Sequence, residues 1–329
     1  MNQDQKPSDS STDGAGKPGF LKTWWVAVRP FALPASTMPV IFGTILAVTV
    51  GQAQFNLLLF LAAFIGMAVL HSGANLLNDI YDYRKGIDRH VNPVSGAVVR
   101  GWVSERQGLL AAWFLLTVGS LLGLFIVVTV GRPILWIGLS GVAIGILYTW
   151  GSWELKYNAL GDLAVFLNFG ILGALGAWTV QSGSLSWVPV VWAIPMSLLV
   201  AAILHANNWR DIRSDKEGGI HTMAGLFGDR GSIFYYAFLL FCPFAFVIVL
   251  ICLSWLVDIE PRMPLTFLIT LVALPLALKL MKKGLKRHNP DQPLDFVALD
   301  GETAKLNLLF GLLCSAALGL DALIGFWIH

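Results

Sequence analysis

Long apolar stretches separated by short polar ones dominate the chain. Nine apolar stretches run over Leu33–Val50, Leu57–Leu77, Gly108–Val130, Ile134–Trp150, Leu160–Val180, Trp187–His205, Ile233–Val257, Leu265–Met281 and Leu308–Ile328. Each is close to the ~20 residues a helix needs to cross a bilayer. The pattern predicts an all-α protein of nine transmembrane helices. The first stretch extends upstream through Trp24 and Trp25, and Pro30, Pro34 and Pro39 make its start irregular. Prolines are tolerated there when neighbouring helices re-satisfy the backbone. Trp24, Trp25, Trp150, Trp153, Trp187, Trp255 and Trp327 fall near the expected helix ends, as interfacial anchors do. Residues 1–19 have no apolar period and are rich in Ser, Asp, Gly, Lys and Pro. They are expected to form a disordered cytoplasmic tail, not a signal peptide, ahead of one transmembrane domain over residues 20–329.

Composition sharpens this reading. Hydrophobic residues make up 56% of the chain and charged residues 13%, against about 25% charged in soluble domains. So little charge cannot cover a water-soluble globule, which excludes a soluble enzyme and a disordered protein. The net charge of +2 points to no nucleic-acid partner; lipid is the expected surroundings. Cys242, Cys252 and Cys314 sit inside apolar runs without paired spacing and are read as packing residues. With a cytoplasmic N-terminus and nine spans, 20 of the 22 Lys and Arg residues fall on the cytoplasmic side, and only Arg132 and Arg262 fall outside. The positive-inside rule then places the C-terminus outside a cell membrane.

Two polar loops, Asp79 to Arg106 and Arg210 to Arg230, lie on the cytoplasmic side of this threading. The first opens with Asn75, Asn78, Asp79, Asp82, Gly86 and Asp88, and the second with Asn207, Asn208, Asp211, Asp215 and Gly218. A shift of 132 residues superposes Asn75 on Asn207, Asp79 on Asp211 and Gly86 on Gly218. Four spans separate the two, so the relation is a parallel repeat. Helical spacing places Asn75, Asp79 and Asp82 on one stripe, and Asn208, Asp211 and Asp215 on another. Stacked carboxylates call for a cation, and hard oxygen donors without a His or Cys cluster suit Mg2+ rather than zinc. Arg84, Lys85, Arg89, Arg210, Arg213 and Lys216 interleave with them and suit the remaining charge of a polyphosphate. Helix-end carboxylates and a parallel repeat would also suit a secondary transporter or a Mg2+ channel. Transporter sites, however, usually lie near the bilayer midplane.

These strings resemble the two Asp-rich motifs of the UbiA superfamily of intramembrane aromatic prenyltransferases. The first reads Asn78-Asp79-x-x-Asp82 with Asp88 following, and the second Asp211-x-x-x-Asp215. The likeness continues in Arg29-Pro30 through Gly43, in Tyr148-Thr149, Lys156-Tyr157 and Leu160 to Leu163, and in Thr303 to Gly311. The last string resembles the branch that prenylates 1,4-dihydroxy-2-naphthoate in menaquinone synthesis.

The resemblance implies a nine-helix fold with a cytoplasmic-side active site and Mg2+-dependent transfer of a polyprenyl group from its diphosphate to that naphthoate. Other acceptors, such as 4-hydroxybenzoate or homogentisate, remain open. It implies metal ligands at Asn78, Asp79, Asp82, Asp88, Asn208, Asp211 and Asp215, with Asp82, Asp88, Asp211 and Asp215 as the catalytic carboxylates. Diphosphate or substrate contacts are implied at Arg29, Asn75, Asn78, Lys85, Tyr148, Lys156, Asn207, Asn208, Arg210 and Lys216. No His–carboxylate pair stands at a matched position, so the acceptor is expected to be activated by its own hydroxyls. His71 is read as a packed, hydrogen-bonded histidine and Asp162 as a helix-start residue. The cluster Lys282, Lys283, Lys286 and Arg287 is read as an anionic-lipid anchor.

Overall fold

Local chemistry sets several helix ends. Ser104 caps the fourth helix with a reciprocal box: its hydroxyl accepts from Gln107 N, and the Gln107 side chain accepts from Ser104 N. Thr222 caps the ninth by accepting from Gly225 N at 3.0 Å. The computed structural model describes residues 18–84, 86, 96–149 and 154–328. In order the helices are α1 (Phe20–Val28), α2 (Pro34–Thr49), α3 (Leu57–Arg84), α4 (Glu105–Val130), α5 (Arg132–Thr149), α6 (Gly161–Ser182), α7 (Ile194–Arg210), α8 (Ile212–Glu217), α9 (Met223–Leu256), α10 (Leu265–Leu285) and α11 (Leu299–Ile328). Short helical turns add Pro30–Ala32, Leu155–Tyr157 and Val188–Trp192. No strand occurs among the described residues, only an isolated bridge between Asn158 and His221.

Among the described residues six helices are long and apolar enough to cross a membrane: α3, α4, α6, α9, α10 and α11. The pair Phe20–Ala32 and Pro34–Thr49, bent by 55°, makes a seventh if it counts as one span. The bend falls where Arg29 adopts a left-handed φ of 52° before Pro30. The remaining apolar stretches form the shorter helices α5 and α7, and α7 ends in polar residues from His205 to Arg210. Length and apolarity alone therefore mark fewer spans than the nine expected from sequence. Helix α3 has 28 residues, roughly 42 Å at 1.5 Å per residue. That exceeds the ~30 Å hydrocarbon core, so its last turns carry Asn75 to Arg84 past the apolar stretch.

Helices α2, α6, α7, α9, α10 and α11 share the main core, with Phe42, Met196, Trp209, Tyr236, Phe267 and Phe310 almost wholly buried. Close approach depends on small residues. A Cβ at Gly43 would fall 2.2 Å from the Ala174 carbonyl oxygen, and one at Gly170 would fall 2.0 Å from Ser197 Oγ. Such contacts suit a lipid setting, where helices associate through packing rather than through expulsion of water. Gly170 lies in a π-turn, Phe166–Ile171, that interrupts α6. The outward face of α4 exposes Leu110, Trp113, Phe114, Leu121 and Val128. An apolar face of that extent is untenable in water and normal against lipid. The protein is a multi-pass membrane protein.

Candidate active site

The first motif occupies the end of α3, and its helix continues to Arg84, so Asn75, Asp79 and Asp82 do share a stripe. Asp79 is buried and accepts from Arg29 Nη1 at 3.1 Å. Arg29 reaches it from the break between α1 and α2. Gly96 presses on the same carboxylate: a Cβ there would fall 2.2 Å from Asp79 Oδ2. That oxygen, together with Asn78 Oδ1 and Asn75 Nδ2, is buried without a hydrogen-bond partner. Asp82 is held from the α5–α6 connection. Lys156 Nζ donates to both its oxygens, at 2.8 and 2.6 Å, and the Tyr157 hydroxyl donates to Oδ1 at 2.8 Å. Lys85 and Asp88 lie outside the described residues.

The second motif differs from the expected single stripe. Helix α7 stops at Arg210, Asp211 turns out of it with φ −96° and ψ 10°, and α8 restarts at Ile212. Asn208 therefore lies in the last turn of α7 and Asp211 at the turn itself, while Asp215 is buried within α8. Arg210 grips its neighbour Asp211 with two nitrogens, at 2.9 and 2.7 Å, and Asp300 of α11 with a third at 2.9 Å. Asn207 Nδ2 also donates to Asp300 Oδ2, at 3.1 Å. Lys216, at the end of α8, is exposed.

The connection between α5 and α6 joins the two motifs. Tyr157 donates its hydroxyl to Asp82, and its carbonyl accepts from His221 N at 3.1 Å. Ala159 N donates to the His221 carbonyl at 2.7 Å. Burial first, then the adjacent Asp82 carboxylate, holds the Tyr157 phenol well above its ordinary pKa, so it remains a donor. Tyr148 lies against the same connection: a Cβ at Gly161 would stand 3.8 Å from Tyr148 Cε2. His221 contributes its backbone here, and its side chain is exposed.

The donor set suits Mg2+. Among the described residues no three His, Cys, Asp or Glu side chains stand together as a metal site. Mg2+ needs only one or two carboxylates, completing its shell with substrate phosphate oxygens and water. The partnerless oxygens of Asn78 and Asp79 fit such an ion, as do the carboxylates of Asp82, Asp211 and Asp215.

Other residues depart from their sequence reading or refine it. His71 is packed and bonded as expected, with Nδ1 2.8 Å from Ser36 Oγ and its ring 4.5 Å from that of Phe169. Three of the four residues of the basic cluster near the end of α10 are ion-paired. Lys283 bridges Asp295 and Glu302, Lys286 pairs with Asp291, and Arg287 pairs with Asp229. The Lys283–Asp295 and Arg287–Asp229 pairs staple the 286–298 segment to the bundle. One His–carboxylate pair joins Asp162 of the Leu160 to Leu163 string to His205, which lies in none of the matched strings. His205 Nδ1 lies 3.4 Å from Asp162 Oδ2, both side chains are buried, and the Tyr235 ring sits edge-on to the imidazole at 4.7 Å. Sequence reasoning also left Tyr157 and Asp300 without a role. Tyr157 adjoins Lys156 in a recognisable string, whereas Asp300 has no local signal.

The all-helical fold is also that of solved UbiA homologues. The structure matches one from Archaeoglobus fulgidus, determined bound to GPP and Mg2+, with a TM-score of 0.60 at 14% identity, covering 89% of this chain and 99% of that one. It matches the apo form of one from Aeropyrum pernix K1 with a TM-score of 0.58 at 19% identity, covering 90% and 97%. The UbiA prenyltransferase family matches residues 36–320, so the chain belongs to that family and is a prenyltransferase. UbiA prenyltransferase domain-containing protein 1 of Rattus norvegicus is 35% identical over 290 residues, 87% of this chain and 80% of that protein. The 1,4-dihydroxy-2-naphthoate octaprenyltransferase of Bacillus subtilis is 31% identical over 295 residues, 89% and 91%.

Proposed function

We propose that the protein transfers a polyprenyl group from polyprenyl diphosphate to 1,4-dihydroxy-2-naphthoate, with loss of CO2, giving demethylmenaquinone. The observation that carries this reading is the double attachment of Tyr157, which ties the first motif to the chain leaving the second. One diphosphate can then meet both motifs. The naphthoate acceptor is supported by the Bacillus subtilis relative and by the Thr303 to Gly311 string.

Asn78, Asp79, Asp82, Asp88, Asn208, Asp211 and Asp215 would hold Mg2+, which when bound supplies the positive charge that eases departure of the diphosphate. Arg29, Lys85, Lys156, Arg210 and Lys216 provide the remaining cationic contacts, with Asn75 and Asn207 as amide donors. Lys156 and Arg210 are held on carboxylates of the motifs themselves. With those carboxylates engaged by a metal, Lys156 and Arg210 would be available to phosphate oxygens. Tyr148 presents its ring beside this group, where an aromatic face stabilises developing allylic positive charge. The apolar walls exclude water that would capture the allylic group before the aromatic ring attacks.

The chain is read with nine spans in a cell membrane. α5 and α7 cross together with the six long helices and the bent pair, the motifs face the cytoplasm, and residues 1–19 form a cytoplasmic tail. The distribution of basic residues supports this threading. The test is incubation of purified protein with Mg2+, polyprenyl diphosphates of several lengths and a panel of aromatic acids, with products identified by mass. Prenylated, decarboxylated naphthoate is expected. Product only from 4-hydroxybenzoate or homogentisate would replace the acceptor. Ion flux in vesicles with no prenylated product would overturn the reading in favour of a transporter.

A further inference from the structure

The last helix opens with a buried polar stripe that the proposed chemistry does not use. Asp300, Thr303 and Asn307 share one face of α11, and none is more than 4% exposed. Each reaches a different helix. Asp300 accepts from Arg210 and Asn207 of α7, Thr303 Oγ1 lies 2.7 Å from the Tyr236 hydroxyl of α9, and Asn307 Nδ2 donates to the Pro34 carbonyl at 3.2 Å. Thr303 and Asn307 fasten their helices with neutral groups. A buried carboxylate is a costly way to do the same.

The geometry around Arg210 gives that carboxylate a separate use. The guanidinium is shared between Asp211, which is 31% exposed at its side chain, and Asp300, which is 5% exposed. Asp300 is fixed further: Oδ1 accepts from Gly301 N at 2.8 Å, and Oδ2 accepts from both Arg210 and Asn207. Of the two carboxylates, only Asp211 stands open to an arriving ligand. On the proposed diphosphate clamp, Asp211 must exchange Arg210 for a metal ion. An Arg with no second partner would hold Asp211 more tightly and oppose that exchange.

We propose that Asp300 is a positioning residue: it retains Arg210 when Asp211 turns to Mg2+, which frees Asp211 and keeps the guanidinium beside the diphosphate. This rests on the proposed function, because it presumes a Mg2+–diphosphate ligand. No bond is made or broken in the step; a carboxylate changes cation and an arginine keeps its place.

The test is a Mg2+ titration of inorganic pyrophosphate binding to the purified full chain in detergent, followed by calorimetry. Asp300→Asn should require roughly tenfold more Mg2+ for half-maximal binding, the scale of one lost charge-assisted hydrogen bond. The saturating signal and the KM for the acceptor should be unchanged. The same substitution in an Arg210→Met background should leave the midpoint where Arg210→Met alone puts it. Thr303→Val, which cuts a neutral tie of the same stripe, should lower the thermal midpoint without moving the Mg2+ midpoint. Asp300→Ser gives the same reading if Asp300→Asn is unstable. An unmoved midpoint, a shift that persists without Arg210, or an equal shift in Thr303→Val would overturn the proposal. Failure of the wild-type protein to bind pyrophosphate with Mg2+ would instead overturn the diphosphate clamp itself.

Discussion

The two acidic motifs look alike in sequence and are neutralised in opposite ways. In the first, Asp79 and Asp82 each have their own cation from a remote segment: Arg29 lies 50 residues before Asp79, and Lys156 lies 74 residues after Asp82. In the second, one cation serves two carboxylates, its neighbour Asp211 and the distant Asp300. The first motif is thus assembled by the tertiary fold, through the α1–α2 break and the α5–α6 connection. The second carries its own counter-ion at the turn where α7 ends. Losing a cation should therefore uncover one carboxylate at the first motif and two at the second.

The largest expected effects test what the motifs share. Asp82→Ala and Asp211→Ala should each remove at least ~3 kcal/mol of barrier lowering, more than a hundredfold in turnover, while the protein stays folded. Near-wild-type turnover by either variant at saturating donor and Mg2+ would break the symmetry of the clamp. Next come the cations. Arg210→Met leaves Asp300 buried without its charge partner, and should cost roughly 3 kcal/mol of stability. Lys156→Met uncovers only the partly exposed Asp82, and roughly 1–2 kcal/mol is expected after solvent screening. Thermal midpoints in one detergent would check the order; a reversed order would contradict one-cation sharing at the second motif.

A smaller effect separates the side-chain and backbone contacts of Tyr157. Tyr157→Phe removes the hydrogen bond to Asp82 and keeps the backbone link to His221, so a loss of about 1 kcal/mol is expected, read as a severalfold change in kcat/KM for the donor. The smallest concerns the 286–298 staple. Lys283 holds the Asp295 carboxyl below the usual carboxylate range. A depressed folded pKa means that its contribution is present above the unfolded value, about 3.9, and is lost as pH falls through the folded value. Acidification should lower the thermal midpoint of the wild type slightly more than that of Asp295→Asn. Equal acid sensitivity would place the staple's contribution elsewhere.

Much of this architecture is legible from apolar runs, because lipid forces backbone polar groups into helices. The first stripe is also legible, since α3 runs straight through to Arg84 and spacing becomes geometry. The second stripe misleads: neither Gly nor Pro marks the turn at Asp211, and the helix breaks there as Arg210 closes on its neighbour. Charge partnership is the least legible feature. Lys283, in the last turn of α10, reads as part of a basic patch because Asp295 and Glu302 approach it only in three dimensions. Asp300 and the His205–Asp162 pair escape notice for the same reason, each joining residues on different helices.

The central claim is that both motifs grip one diphosphate. The most direct measurement is Mg2+-dependent pyrophosphate binding by the wild type, Asp82→Ala and Asp211→Ala, compared in a single calorimetric series. The account predicts that each variant, from opposite sides of the site, loses at least roughly tenfold in affinity. Retention of wild-type affinity by either one would mean that the ligand rests on a single motif, and would contradict the account.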